Sequence, residues 1–178
     1  FWRKALFALR FSDINILLNE NIRHDSRILY HRNVTQRVEK LLPFLQFDSD
    51  PYLVTVNGKL YFMRDGYTIS NAYPYSKYSG SIGYEYNYIR NSVKTVVDAY
   101  TGKVDAYVIE QPLKDPMIRT YQKMFPGVFK PISQMPEALR AHIRYPEDLF
   151  RIQTSVYTRY HYAADRPQDF YGNSDLWQ

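Results

Sequence analysis

At 178 residues, with 45% hydrophobic and 17% aromatic side chains, the chain is long enough for one globular domain and too apolar for wholesale disorder. It has no cysteine, which excludes thiol chemistry, structural disulfides and cysteine-ligated zinc. The net charge of +5 sits at the front, where residues 1–40 hold eight Lys and Arg against four acids; the rest is nearly neutral, which argues against nucleic acid as a partner. No run approaches the roughly 18 apolar residues that span a bilayer, and no signal segment is present. A start at Phe1 rather than Met marks a fragment or mature product.

Residues 1–46 read as a helical leader. FWRKALFALRF gathers Trp2, Leu6 and Leu9 on one side, and Arg3, Lys4 and Arg10 supply a polar face. Asp13 is placed to cap a short turn through INILLN. Asn33 and Gln36 have the spacing of a capping box before Val38, Leu41, Leu42 and Leu45, and Pro43 should end that helix.

The period then shortens to two. YLVTVN leads through Asn57-Gly58 into KLYFMRD, the strongest short hairpin signal, because both turn residues accept positive φ. Asp65-Gly66 is expected to make a second turn into YTIS. Residues 71–87 are expected to form a long loop rich in Tyr, Ser and Gly, and six tyrosines fall between Tyr73 and Tyr88. A second hairpin, SVKTVVDAY and KVDAYVIE, turns at Thr101-Gly102. The sheet is thus expected over residues 52–110.

Helices return over residues 115–162. Asp115 caps and Pro116 takes the first helical position. Pro136 and Pro146 open two further helices, with Leu139 and Ile143 facing inward in the first and Leu149, Ile152, Val156 and Tyr160 spaced along one stripe of the second. Residues 163–178 are a polar, aromatic tail. The order predicts a single α+β domain over 1–178: an antiparallel sheet of four to five strands from two hairpins, with N-terminal and C-terminal helices packed on one of its faces.

Signatures of chemistry are sparse. His24, His31, His142 and His161 form no HExxH pair, so no metal site is expected, and no cofactor motif is present. Asp48, Asp50 and Asp65 precede Pro or Gly and read first as turn residues. Glu147-Asp148 fits the first turn of a helix. Ser92 and Lys94 would share a strand face, the bare geometry of a Ser/Lys dyad. An enzyme reading would gather Asp65, His142 and His161 in one cleft. The favoured reading is non-catalytic: Tyr73, Tyr75, Tyr88, Arg90 and Asn91 would form a ligand surface, since tyrosine pairs a flat apolar face with a hydroxyl. A structural or assembly role is the third possibility.

Several long strings carry a resemblance. SRILYHRNV (26–34), LLPFLQFDSDPYLV (41–54), DGYTISNAYPYS (65–76), NYIRNSVKTVVDAYTG (87–102), DPMIRTYQKMFPGVFKP (115–131), MPEALRAHIRYPEDLF (135–150) and DFYGNSDLW (169–177) resemble uncharacterised protein family 0182. The resemblance implies the extracytoplasmic portion of a bacterial multi-pass membrane protein, attached through segments upstream of Phe1. It implies a cell-membrane location and an envelope ligand or protein partner, and it supplies no catalytic residues. In that setting residues 1–11 would suit an interfacial helix.

Overall fold

The computed structural model describes residues 2–28, 30–79, 85–109, 115–158 and 165–172. The chain divides into two compact units, Phe1–Tyr30 and His31–Gln178.

The first unit holds α1 (Trp2–Phe11) and α2 (Asn15–Leu18). Asp13 accepts a bond from the Asn15 amide at 2.9 Å in the turn before α2, but the N-cap position itself falls to Ile14, which offers no side-chain bond. Arg10 Nε donates to the Tyr30 hydroxyl at 2.9 Å, and Phe11 meets Tyr30 edge-on. No α1 residue is buried. Trp2 and Leu9 are each 79% exposed, so the apolar stripe of this helix is largely open to solvent.

The second unit is built on a six-stranded sheet: β1 (Gln46–Phe47), β2 (Tyr52–Val56), β3 (Lys59–Ser70), β4 (Tyr88–Asp98), β5 (Val104–Val108) and β6 (Phe129–Pro131). The order is β1-β3-β4-β5-β6, and β2 shares the β1 edge of β3. The α+β class is as expected. The strand count exceeds the expected four or five because two short segments add to the edges, and β5–β6 is a parallel pair. The first hairpin turns at Asn57-Gly58, with φ of 51° and 73°, both left-handed as a two-residue turn needs. The second turns at Gly102, φ 68°, where Asp98 accepts from the amides of Tyr100 and Thr101.

Asp65-Gly66 makes no turn. β3 runs unbroken through both residues, with Gly66 paired to Phe47 on one side and Val93 on the other. A Cβ on Gly66 would meet Phe47 Cε1 at 3.1 Å and Val93 Cβ at 3.4 Å. The glycine therefore serves close packing in a central strand, a need that local sequence cannot tell from a turn. Beside it the β3–β4 register slips: Gly66 faces Val93 but Tyr67 faces Asn91, so Ser92 is the extra residue of a β-bulge.

Two cores result, one on each face of the sheet. Val38, Leu42, Phe47, Val93, Val97, Val108 and Ile118 form the first, under α3 (Val34–Leu41) and α4 (Pro116–Met124). Tyr52, Val54, Met63, Val96, Tyr107, Met135 and Leu139 form the second, under a 3-10 turn (Ile132–Gln134) and α5 (Glu137–Arg140). Helical elements thus cover both faces, not one, because β3 and β4 carry apolar residues on both sides. The predicted caps of α3 and α4 hold: Asn33 accepts from Gln36 N, and Asp115 accepts from Met117 N and Ile118 N.

The last helices are shorter on apolar cover than expected. α5 is a single turn, so Ile143 lies past its end and is exposed. In α6 (Glu147–Tyr157) the one buried residue is Asp148, and Val156 is exposed. A short α7 spans Pro167–Gly172. Tyr160 lies outside the described residues.

Candidate ligand-binding cleft

A cleft of about 340 Å³ opens on the second face of the sheet, lined by Asp48, Asp50, Tyr52, Asp65, Arg144, Tyr145, Glu147 and Phe150. One wall is the β1–β2 connection; the other is the entry into α6. The floor is polar and deeply buried.

Asp65 and Lys94 are direct cross-strand partners and form an ion pair with each side chain 4% exposed. Asp65 Oδ1 also accepts from Asn91 Nδ2 at 2.6 Å, and Lys94 Nζ donates to the Arg144 carbonyl at 2.8 Å. Burial pushes the Asp65 carboxyl above its usual range; the Lys94 charge and the Lys94 and Asn91 hydrogen bonds oppose that rise. Desolvating two charges costs several kcal/mol per ion, which offsets most of what their mutual attraction adds to net stability.

Asp48 is the second anchor. Its Oδ2 accepts from the Tyr67 hydroxyl and, at 3.0 Å, from the Asp148 amide; its Oδ1 accepts from the Asp50 amide. Burial and the Asp48 carboxylate together hold the Tyr67 phenol well above its ordinary pKa. Asp148 replies across the same gap, accepting from Ser49 N at 2.8 Å and Ser49 Oγ at 3.0 Å. Pro146, the residue preceding α6, offers no capping side chain. The carboxylate that satisfies this helix start therefore comes from 100 residues earlier. The reading of Glu147-Asp148 as first-turn residues holds for position, but Asp148 spends its carboxylate on the β1–β2 connection.

Arg144 forms part of the rim. Its amide donates to the Tyr52 hydroxyl at 3.3 Å, and its guanidinium lies over the Tyr52 ring at 4.6 Å. Burial raises the Tyr52 phenol's pKa, with the Arg144 amide bond working against it. Tyr145 and Phe150 meet edge-to-face at 6.4 Å, and the Tyr145 hydroxyl donates to Gln153. Glu147 is paired along the helix with Arg151.

Of the residues singled out from sequence, Asp48, Asp50, Asp65 and Glu147 line this cleft, and Asn91 and Lys94 support it through Asp65. His142 is exposed and does not line it; among the described residues its ring makes no hydrogen bond. His161 lies outside the described residues. The expected tyrosine surface divides. Tyr73 stacks on Tyr88 at 5.3 Å, and Arg90 hydrogen-bonds the half-buried Tyr88, whose pKa is raised by burial and then by the Asp115 charge. Tyr75 stands fully exposed at φ 60°. Asn87 clamps the loop, accepting from Tyr73 N and donating to Tyr73 O. Asn91 belongs instead to Asp65. Ser92 and Lys94 do not share a face: the bulge turns Ser92 toward α4, where its Oγ donates to Asp115 Oδ2 at 2.5 Å. Among the described residues no three of His, Asp and Glu gather as metal ligands.

Sequence reasoning missed Asp48, Asp148, Tyr67 and Lys94 as members of one network. The one available signal was an ionisable residue at a central-strand position, Lys94 amid SVKTVV, which needs a buried partner.

Fold and cleft together define an α+β domain with a mixed six-stranded sheet and a charged, aromatic-rimmed cleft over one edge of it. The chain belongs to the Uncharacterised protein family (UPF0182), whose model matches residues 1–178. It is 50% identical over 177 residues to a UPF0182 protein of Pelotomaculum thermopropionicum, covering 99% of this chain and 19% of that one. It is 51% identical over 180 residues to one of a Sulfurovum species, again 99% and 19%. A Synechococcus relative is 46% identical over 177 residues, 99% of this chain and 20% of its own. The chain thus spans about a fifth of the length of these curated relatives. No solved structure matches it.

Proposed function

We propose that this chain is a ligand-binding domain, not the seat of a reaction, within a larger bacterial membrane protein, and that it faces the extracytoplasmic side. The observation that carries the binding reading is the state of the cleft floor. Asp48, Asp65 and Lys94 are all engaged by internal partners, so they frame a shape and offer no free acid, base or nucleophile. The rim, with Tyr52, Arg144, Tyr145 and Phe150, has the mix of rings and few polar groups that small-ligand sites use. The exposed His142, off the cleft, weighs against an enzyme built on Asp65.

The test is a ligand panel on the full 178-residue chain, read by thermal shift and by amide chemical shifts. A ligand at 100 times its Kd should raise the melting temperature by roughly 5–10 °C and move the signals of Tyr52 and residues 144–150. Binding that leaves those signals still would overturn the cleft as the site.

Membrane proximity is supported by α1. Its exposed Trp2, Leu6 and Leu9 and its Arg3, Lys4 and Arg10 suit the headgroup boundary of anionic lipid. No helix among the described residues is long and apolar enough to cross a membrane, so attachment falls to the remaining four fifths of the parent. The chain should float with anionic vesicles and lose that on removal of residues 1–12. Failure of both forms to float would sink the interfacial role.

A further inference from the structure

The engaged and unengaged charges of the cleft narrow what it can hold. Of its four carboxylates, Asp65 is paired with Lys94, Glu147 with Arg151, and Asp48 accepts three hydrogen bonds. The Asp50 carboxylate has no hydrogen bond or ion pair among the described residues, and neither does the Arg144 guanidinium. Both line the cleft, and they do not pair with each other. One anion and one cation are therefore left open on a single small cavity.

Arg144 is held ready. Its amide is fixed on the Tyr52 hydroxyl, its carbonyl on Lys94 Nζ, and its guanidinium on the Tyr52 ring. A planar fork held this way, with its donors unspent, is preorganised for bidentate contact with a carboxylate. The Asp50 backbone is likewise tied, by its amide to Asp48 Oδ1, and its carboxylate suits an ammonium. The Tyr145–Phe150 ring pair supplies an apolar wall. A cavity of about 340 Å³ is at the small end for ligand sites, room for a molecule of one or two residues.

We infer that the cleft binds a small zwitterion of the amino-acid or dipeptide class, its carboxylate on Arg144 and its ammonium on Asp50. The inference rests on the binding reading above and names its ligand. A net anion would meet Asp50 and a net cation would meet Arg144, whereas a neutral sugar could hydrogen-bond both side chains but would bring neither an opposite charge nor a charge-assisted contact.

The experiment is calorimetric titration of the full chain with L-alanyl-L-alanine, its N-acetylated form, its C-terminal amide, and cellobiose. The free dipeptide should bind, and each blocked form should bind roughly tenfold or more weakly, the loss of one charge-assisted contact. In R144Q the dipeptide and its amide should bind alike; in D50N the dipeptide and its acetylated form should. Blocked forms that bind wild type as well as the dipeptide does would overturn the inference, without any variant having to fold. Cellobiose binding with dipeptide silence would overturn the zwitterion and leave the cleft reading intact. Silence of every probe in calorimetry overturns the zwitterion alone; the broader panel decides the cleft.

Discussion

Strand β4 carries two polar clusters, one on each face, and they follow opposite rules. Toward the cleft, Asp65, Lys94 and Asn91 bury a full ion pair. Toward α4, Thr68 and Ser92 donate to Asp115 Oδ2 at 2.7 and 2.5 Å, and Asp115 Oδ1 caps the helix. The second cluster has one charge, and a helix N-terminus stabilises it at close range. The first has two, and only each other's presence makes them tolerable. The bulge at Ser92 keeps them apart by turning two successive residues, Ser92 and Val93, toward the same core. A floor with a paired charge beside a ligand cleft and a hydroxyl–carboxylate brace beside a helix thus come from one strand.

The sharpest way to break that contrast is Lys94→Met. It should cost about 3–5 kcal/mol in urea unfolding at neutral pH, by leaving Asp65 ionised and unpaired. The double change with Asp65→Leu should recover most of that, since an apolar pair of similar volume has no charges to desolvate. The pH dependence follows from the raised Asp65 pKa. The folded state holds that proton more tightly than the unfolded chain does. Its stabilising contribution is therefore full below the ordinary value of 3.8 and is lost as pH rises through the folded value. Lys94 opposes the rise, so without it the window extends upward. The variant should gain more stability than wild type when acidified from pH 7 to 5. Parallel pH profiles would mean the pair is not what holds Asp65 ionised.

Asp115→Asn should cost less, about 2 kcal/mol. The amide keeps one oxygen for the cap, but its nitrogen cannot accept from Thr68 and Ser92. A loss as large as that of Lys94→Met would erase the proposed difference between the two clusters. Gly66→Ala probes the point where they separate. Its Cβ at 3.1 Å from Phe47 crowds the strand, while the less flexible unfolded chain offsets part of that, leaving about 1 kcal/mol of destabilisation. An unchanged melting curve would show that Phe47 yields freely.

What could be read from sequence was what neighbours in the chain decide. Asn57-Gly58, Asn33 with Gln36, and Asp115-Pro116 act within four residues, and each was found where its chemistry put it. Asp65-Gly66 has the same local chemistry as a turn, and only Phe47 and Val93 pressing on the glycine make it strand. The tyrosine loop drew attention by composition, yet the cleft uses Tyr52 and Tyr145, which stand outside it. Asp48 and Asp148 were invisible as partners because nothing within a helical turn of either records the other.

The exchange of bonds between Asp48 and Asp148 also decides how the start of α6 is held. Helix α6 begins at a proline without a capping side chain and buries little apolar surface, so alone it is a poor helix. Its first turn gains a carboxylate cap only when a 100-residue loop has closed onto the finished sheet edge. Closing a loop of that length carries an entropic cost that grows only slowly with its length. The far wall of the cleft is therefore tied to the sheet edge by a few long-range polar bonds. In amide hydrogen exchange, Asp48→Ala should loosen the start of α6, and with it one side of the pocket, before it disturbs the sheet.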